Sequence, residues 1–155
     1  MKTAAFLGAG LCFALASCTH LAAPPRIDAT RCDNRQTVLD FYQLSLIKLQ
    51  PRRAFERYAS ADFVEHKPDV PQGNREATAT FLEALIASMP KPRWEIIRTI
   101  AEGDMVFLHA RFSPADGAPQ YAIADVFRLK NCLIVEHWDV VAGPPGSQPN
   151  PNSRF

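Results

Sequence analysis

Residues 120–141 read QYAIADVFRLKNCLIVEHWDVV, two runs of alternating side chains joined by a short connection. In the first run the bulky apolar residues fall on every second position, which is the period of a β-strand. The second run follows after Lys130, Asn131 and Cys132, a connection short enough for a hairpin. The segment therefore predicts two strands, at about 120–129 and 133–141.

The same period extends upstream of this hairpin. Trp94, Ile96 and Ile100 alternate with polar residues in a strand that begins at about Arg93. A turn at 102–104 then leads into a further strand at 105–112. From Arg93 onward the chain is thus predicted to form antiparallel strands.

The N-terminal half shows the helical period instead. Asp33 and Gln36 resemble a capping box, and a proline at position 51 fits the first position of a helix. Three helices are predicted, at 34–49, at 51–58 and between Asn74 and Pro90.

Helices followed by antiparallel strands indicate an α+β fold. A curved sheet wrapped around three helices forms a cone whose interior can hold a small ligand. Apolar residues occupy both faces of the 105–112 strand, with Val106 and Leu108 on one face and Met105 and Phe107 on the other. We expect the outer face to pack on a second copy, so the sequence predicts a homodimer.

Composition excludes several classes of protein. The 155 residues suit a single domain, and 47% hydrophobic residues argue against disorder of the body of the chain. The 17 Lys and Arg residues nearly balance the 16 Asp and Glu residues without any basic run. We therefore expect no nucleic-acid partner.

The first residues have the pattern of an export signal. Lys2 precedes an apolar run at 4–16 that is too short to span a membrane. The run ends in Leu15-Ala16-Ser17-Cys18, which resembles the lipobox of bacterial lipoproteins, although an ordinary secretory signal with a chance cysteine is the alternative. We predict a signal peptide at 1–17, a lipidated Cys18 with a tether at 18–33, a folded domain at 34–142 and a disordered tail at 143–155.

The residue after the lipidated cysteine bears on location. Thr19 occupies the position where Gram-negative lipoproteins retained at the inner membrane usually have Asp. The resemblance therefore implies attachment through the lipid to the periplasmic face of the outer membrane. Of the four cysteines, processing leaves Cys32 and Cys132, which form either a disulfide or two thiols.

A carboxylate interrupts the apolar face of the 120–129 strand. Asp125 shares that face with Tyr121, Ile123, Phe127 and Leu129. Burial among such side chains should raise its pKa, because desolvation disfavours the charged form. Asp125 is therefore a candidate catalytic base, the alternative being a structural partner of an Arg or a His.

The hairpin register decides which residues face Asp125. A three-residue loop with a bulge places His137 opposite it, whereas a two-residue turn places Trp138 there. Asp139 shares a face with His137 in either case.

Two further histidines are candidates. His66 is predicted in a loop between the second and third helices, and His109 lies within the 105–112 strand. The histidine spacings match no metal-binding pattern, and the chain has neither a Gly-rich phosphate loop nor a Gly-x-Ser-x-Gly elbow. We therefore expect no metal and no cofactor.

Several segments together resemble a known family. They read VLDFY at 38–42, YASADFVEHKP at 58–68, AEGD at 101–104, DVFR at 125–128 and IVEHWD at 134–139. Over about residues 34–142 the chain resembles the SnoaL-like polyketide cyclase group of the nuclear transport factor 2-like superfamily. The resemblance implies a cone-shaped α+β barrel, commonly dimeric, that closes a ring by aldol condensation without metal or organic cofactor.

By position, the resemblance implies catalytic roles for Asp125 and His66. The substrate-binding candidates are His109, His137, Phe127, Trp138, Asp139 and Tyr42.

Three functions are compatible with these residues. In the first, Asp125 removes a proton α to a carbonyl of a small apolar compound, and His66 or His109 donates a hydrogen bond to the enolate oxygen. In the second, the cone is a non-catalytic lipoprotein module that holds a small hydrophobic ligand. A third is epoxide or ester hydrolysis by water activated between Asp125 and His137.

Overall fold

The computed structural model describes residues 32–155. The predicted signal peptide, Cys18 and most of the tether lie outside the described residues. The described elements, in chain order, are α1 (Asn34–Tyr42), a π-helical turn (Gln43–Ile47), α2 (Pro51–Tyr58), β1 (Ala59–Glu65), a 3₁₀ turn (Pro71–Gly73), α3 (Arg75–Ala87), β2 (Arg93–Glu102), β3 (Met105–Ser113), β4 (Tyr121–Lys130) and β5 (Leu133–Ala142).

The first helix begins where the sequence predicts. Asp33 Oδ1 accepts a hydrogen bond from the backbone N–H of Gln36 at 3.0 Å, which satisfies one free donor of the first turn. The Gln36 side chain donates to Asp40 instead of reaching back, so the capping box is only half formed. After Tyr42 the helix widens into the π-helical turn rather than continuing as α-helix to residue 49.

The strands form one open sheet in the order β1-β5-β4-β3-β2, with β1 parallel to β5 and the other pairs antiparallel. The three helices pack on one face of it. This confirms the predicted α+β cone with a mainly antiparallel sheet. The sheet is not closed into a complete barrel, because β1 and β2 do not pair with each other.

Strand β1 was not predicted, since its sequence was interpreted as a loop. Its first four residues, Ala59-Ser60-Ala61-Asp62, are small or polar and show no regular alternation. Among the seven residues of β1, Phe63 is the only large apolar side chain that faces inward. In addition, β1 pairs with a strand that is distant in sequence, since Glu65 lies beside His137. A local sequence pattern therefore cannot predict this pairing.

The hairpin between β4 and β5 differs from both predicted alternatives. Asn131 and Cys132 both have positive φ, 52° and 64°, which is the conformation of a two-residue type I′ turn. An extra residue, Val135, then bulges between two ladder pairs and shifts the register by one. As a result Asp125 pairs with Asp139 rather than with a histidine or a tryptophan.

A disulfide joins Cys32 to Cys132, with Cα atoms 5.4 Å apart. This confirms the disulfide alternative. The bond fastens the residues before α1 to the tip of the β4–β5 hairpin and closes a loop of 100 residues. In the chain-entropy account a loop of this size stabilises the fold by at most about 4.7 kcal/mol.

Residues 143–155 contain no helix or strand. Near their end, Arg154 donates to the backbone carbonyls of Ala142 and Gly143. The Phe155 ring lies 4.5 Å from the Arg111 guanidinium on the outer face of the sheet. None of the helices formed by residues 32–155 is long and apolar enough to cross a membrane.

Candidate active site

A cavity of about 470 Å³ lies between the helices and the concave face of the sheet. Most of its wall is apolar and aromatic. The aromatic side chains that line it are Phe41, Tyr42, Phe55, Phe63, Phe81, Trp94, Phe112, Tyr121 and Phe127. Its size suits a small molecule, and its specificity must come from a few polar groups.

Asp125 is one of these polar groups and lies near the middle of β4. It is only 6% exposed, and its Oδ1 lies 3.1 Å from His137 Nε2. Its other oxygen, Oδ2, has no hydrogen-bond partner among residues 32–155. Burial raises the pKa of Asp125, while the charge and hydrogen bond of His137 limit the rise.

His137 bridges two carboxylates. It lies on β5, diagonal to Asp125 on the same face, and its Nδ1 lies 2.9 Å from Glu65 Oε2. Because ionised carboxylates only accept hydrogen bonds, both ring nitrogens donate when both partners are ionised, and the ring is then an imidazolium. Burial opposes this charge, but the hydrogen bonds and charges of Asp125 and Glu65 outweigh it and raise the pKa of His137.

Glu65, like Ser45 and Lys67, is a site residue that the sequence did not predict. Its side chain is 2% exposed, and its Oε1 also accepts a hydrogen bond from the backbone N–H of Lys67. The signal was present, because a strand that buries Phe63 must point Glu65 inward and His66 outward. Because a loop was predicted for this segment, His66 was expected at the site in place of Glu65.

A second ion pair borders the cavity. Lys67 Nζ lies 2.9 Å from Asp139 Oδ2, and both side chains line the cavity. Burial lowers the pKa of Lys67, but the hydrogen bond and charge of Asp139 more than compensate, so the pKa is raised. Lys67 is therefore a fixed cation, not a neutral amine.

Two buried hydroxyl groups lie in the wall besides those of Thr78 and Tyr121. Tyr42 is 1% exposed and Ser45, in the π-helical turn, is fully buried. Neither Tyr42 Oη nor Ser45 Oγ has a hydrogen-bond partner among the described residues. Burial, together with the nearby Asp125 carboxylate, raises the pKa of Tyr42 well above its ordinary value, so the phenol keeps its proton.

His66 and Trp138 lie on the outer face of the sheet. The His66 ring stacks on Trp138 with centroids 4.5 Å apart, and its Nε2 lies 3.3 Å from Glu136 Oε2. His66 directly follows Glu65, the inward-facing last residue of β1, and Trp138 lies between His137 and Asp139 on β5, so the alternation of side chains turns both away from the cavity. The structure thus removes His66 as a partner of Asp125 and Trp138 as part of the binding wall.

His109 is also turned outward. Its neighbours on β3, Leu108 and Ala110, are fully buried on the inner face, whereas the His109 ring stacks on Phe155 at 6.0 Å. Burial and the positive charges of Arg98 and Arg154 lower its pKa. His109 therefore cannot donate to a ligand inside the cone.

The structure brings together five of the eight residues expected from the sequence. Those that line the cavity are Tyr42, Asp125, Phe127, His137 and Asp139. Residues 32–155 contain no group of three or more His, Cys, Asp or Glu side chains arranged to hold a metal ion.

Three helices packed on one face of a five-stranded mixed sheet form the α+β cone fold of the nuclear transport factor 2-like type. Solved structures show the same fold. IdmH, a candidate polyketide cyclase from Streptomyces antibioticus, is similar with a TM-score of 0.59 and 16% identity, covering 70% of this chain and 91% of its own. A candidate polyketide cyclase from Acidithiobacillus ferrooxidans has a TM-score of 0.60 and 15% identity, covering 70% and 87%.

A candidate isomerase of the SnoaL-like family from Agrobacterium tumefaciens has a TM-score of 0.60 and 17% identity, covering 71% of this chain and 98% of its own. No curated protein matches the chain. The family model for the SnoaL-like domain matches residues 39–137, and the chain therefore belongs to that family.

Proposed function

We propose that the protein is a cofactor-independent acid–base enzyme that removes a proton α to a carbonyl in a small apolar compound. The observation that carries the proposal is Asp125, a buried carboxylate with a raised pKa whose Oδ2 is unpaired at the wall of an apolar cavity. A base poised in this way gains basicity from desolvation, as general base catalysis requires.

The proton balance needs no further reactant. Asp125 Oδ2 takes the proton from the α carbon, and the electrons of the broken C–H bond form an enolate. In an aldol ring closure the enolate carbon attacks a second carbonyl of the same molecule, and the resulting alkoxide takes the proton back from Asp125. In an isomerisation the proton returns to another carbon, so both reactions regenerate the carboxylate.

His137 and Glu65 have a supporting role in this scheme. The imidazolium holds Asp125 Oδ1 and leaves Oδ2 for the substrate, while Glu65 fixes the ring from the other side. The array therefore orients the base and limits how far burial raises its pKa. Names of structurally similar proteins, which include candidate cyclases and an isomerase, support the same reaction class.

The runner-up is a binding protein without chemistry. A cavity of this size with a mainly aromatic wall would hold a small hydrophobic molecule whether or not Asp125 reacts with it.

Hydrogen exchange separates the two functions. In D₂O, the protein should accelerate exchange of the α protons of 2-tetralone, a small apolar ketone, above the buffer rate. Asp125→Asn should slow this exchange by roughly a hundredfold or more, the scale of a lost general base. If 2-tetralone binds and its protons exchange only at the buffer rate, the binding module is the better description.

Thermal melting checks that this variant is a fair test. An asparagine oxygen can still accept the hydrogen bond from His137, and Glu65 remains to balance the imidazolium charge. We expect Asp125→Asn to stay folded and to lose at most about 1–2 kcal/mol. A loss of about 3–5 kcal/mol would instead mark Asp125 as the indispensable structural partner of His137.

We further propose that the domain is attached through a lipid on Cys18 to the periplasmic face of the outer membrane and acts as a homodimer. The lipobox-like Leu15-Ala16-Ser17-Cys18 supports the attachment. Exposed Val140 and half-buried Phe107 and Val126 on the outer face of the sheet support a dimer contact. Sedimentation equilibrium of the protein distinguishes dimer from monomer.

A further inference from the structure

We infer that Tyr42 and Ser45 form, with Asp125, a polar subsite for an uncharged oxygen-bearing group of the ligand. The inference rests on the proposed function only in naming the same cavity, since it concerns recognition and not turnover.

Three buried polar atoms at the wall of one cavity make no well-formed hydrogen bond among residues 32–155: Tyr42 Oη, Ser45 Oγ and Asp125 Oδ2. The Tyr42 phenol lies near enough to the Asp125 carboxylate for each to shift the pKa of the other, so a ligand oxygen that enters here meets both groups together. A buried polar group without a hydrogen bond costs about 1–3 kcal/mol, and three such groups at one cavity are uncommon. A ligand that forms hydrogen bonds with these atoms removes this free-energy cost on binding.

The local fold places the two hydroxyl groups. Tyr42 is the last residue of α1 and Ser45 lies in the π-helical turn that follows, so both project from the same stretch of backbone. Single π-helical turns inside helices are frequent at functional sites.

The chemistry of the atoms defines what fits. The Tyr42 phenol remains protonated beside Asp125, so it donates, and the serine hydroxyl can donate as well. Asp125 Oδ2 accepts. The subsite therefore matches a carbonyl or hydroxyl oxygen that accepts from Tyr42 or Ser45 and has an acidic hydrogen on or near it for Asp125. Tyr42 or Ser45 would then donate the hydrogen bond to the enolate oxygen that the sequence assigned to His66 or His109.

Charge excludes a carboxylate ligand. The cavity is lined by four acidic groups, against the two positive charges of His137 and Lys67, which leaves a net charge of −2 when all are ionised; the acidic groups are Glu65, Asp69, Asp125 and Asp139. An anionic ligand would bring a further uncompensated charge into an apolar space, which is costly.

Three probes that share the naphthalene ring and differ in the group at position 2 test the subsite. Their binding to the full chain is measured by calorimetry. The hydroxyl of 2-naphthol can donate to Asp125 and accept from Tyr42, naphthalene can do neither, and 2-naphthoate is an anion. We expect 2-naphthol to bind about tenfold or more tightly than naphthalene, and 2-naphthoate to bind more weakly than 2-naphthol by at least about tenfold.

Tyr42→Phe should reduce the affinity for 2-naphthol by about three- to tenfold and leave that for naphthalene unchanged, which also shows that the cavity is intact. Ser45→Ala should act in the same direction. Tyr58→Phe, which removes a phenol outside the cavity, is the matched control and should change neither affinity. Equal binding of naphthol and naphthalene, or an unchanged preference in Tyr42→Phe, would overturn the subsite. Binding of 2-naphthoate as tight as that of 2-naphthol would overturn the uncharged ligand class. Neither result depends on α-proton exchange, so each is separate from failure of the proposed reaction.

Discussion

Asp125 and Asp139 are Cα partners on β4 and β5, so two carboxylates face the cavity side by side. Each has its own cation, since His137 contacts Asp125 and Lys67 contacts Asp139. The charge of Asp139 helps to raise the pKa of Asp125, and Lys67 is the counter-charge that pairs with Asp139. The ion pair between Lys67 and Asp139 therefore helps to set the basicity of Asp125.

Lys67→Met should raise the pKa of Asp125 further, because Asp139 would lose its counter-charge. A base works only in its ionised form, so the exchange activity should be lost at a higher pH than in the parent as the pH falls. The pH profile of α-proton exchange measures this shift. Lys130→Met, at the exposed end of β4, is the control and should leave the profile in place, whereas coincident profiles for Lys67→Met and the parent would contradict the argument.

Glu65→Gln should lower the pKa of His137, since one of the two carboxylates that hold the imidazolium becomes neutral. Nitrogen NMR of the imidazole ring reports the charge directly. The control is Glu136→Gln, which changes a carboxylate beside His66 on the outer face and should not alter the His137 signals. Identical His137 titrations in the parent and in Glu65→Gln would show that Glu65 does not set the charge.

Stability should follow the same group. The folded-state pKa of His137 is raised above its ordinary value of 6.5, so the folded protein binds the proton more tightly than the unfolded chain. This contribution to the free energy of unfolding is complete below about pH 6.5 and is lost as the pH rises through the folded-state pKa. In Glu65→Gln the loss should begin at the same pH but end at a lower pH and be smaller in total, as urea unfolding at a series of pH values would detect.

The bond between Cys32 and Cys132 should protect both thiols. Alkylation of the denatured, unreduced protein should label neither residue, and reduction should expose both. Cys32→Ser with Cys132→Ser should lower the free energy of unfolding by at most about 4.7 kcal/mol. Labelling of both cysteines without reductant would contradict the bond.

Cys18→Ala should release the protein from the membrane fraction or leave an uncleaved precursor, because the acyl chains would lose their attachment point. Fractionation and the mass of the mature protein measure this. Unchanged attachment and mass would refute the lipoprotein assignment.

The sequence predicted what depends on local pattern. The helix that begins at Pro51 and the strands of the hairpin follow from turn chemistry and periodicity, and the burial of Asp125 follows from its apolar neighbours. The expectation that His66 and His109 face the cavity was wrong, whereas His137 does line it. For His66 the reason is a strand pairing that is distant in sequence. Glu65 reaches His137 only because β1 pairs with β5, with a sequence separation of 72 residues between the two side chains. The inward or outward direction of His66 depends on the same strand.

The position of the disulfide gives the domain an orientation. Cys132 lies at the tip of the hairpin, whereas the cavity begins beyond it, at Phe127 and His137, and extends toward Tyr121 at the other end of β4. A ten-residue strand is about 30 Å long, so the point at which the tether enters the domain and the far end of the cavity are separated by most of the length of the cone. If Cys18 carries the proposed lipid, the anchor joins the domain at the hairpin end of the cone, and the Tyr121 end of the cavity is the end remote from that attachment.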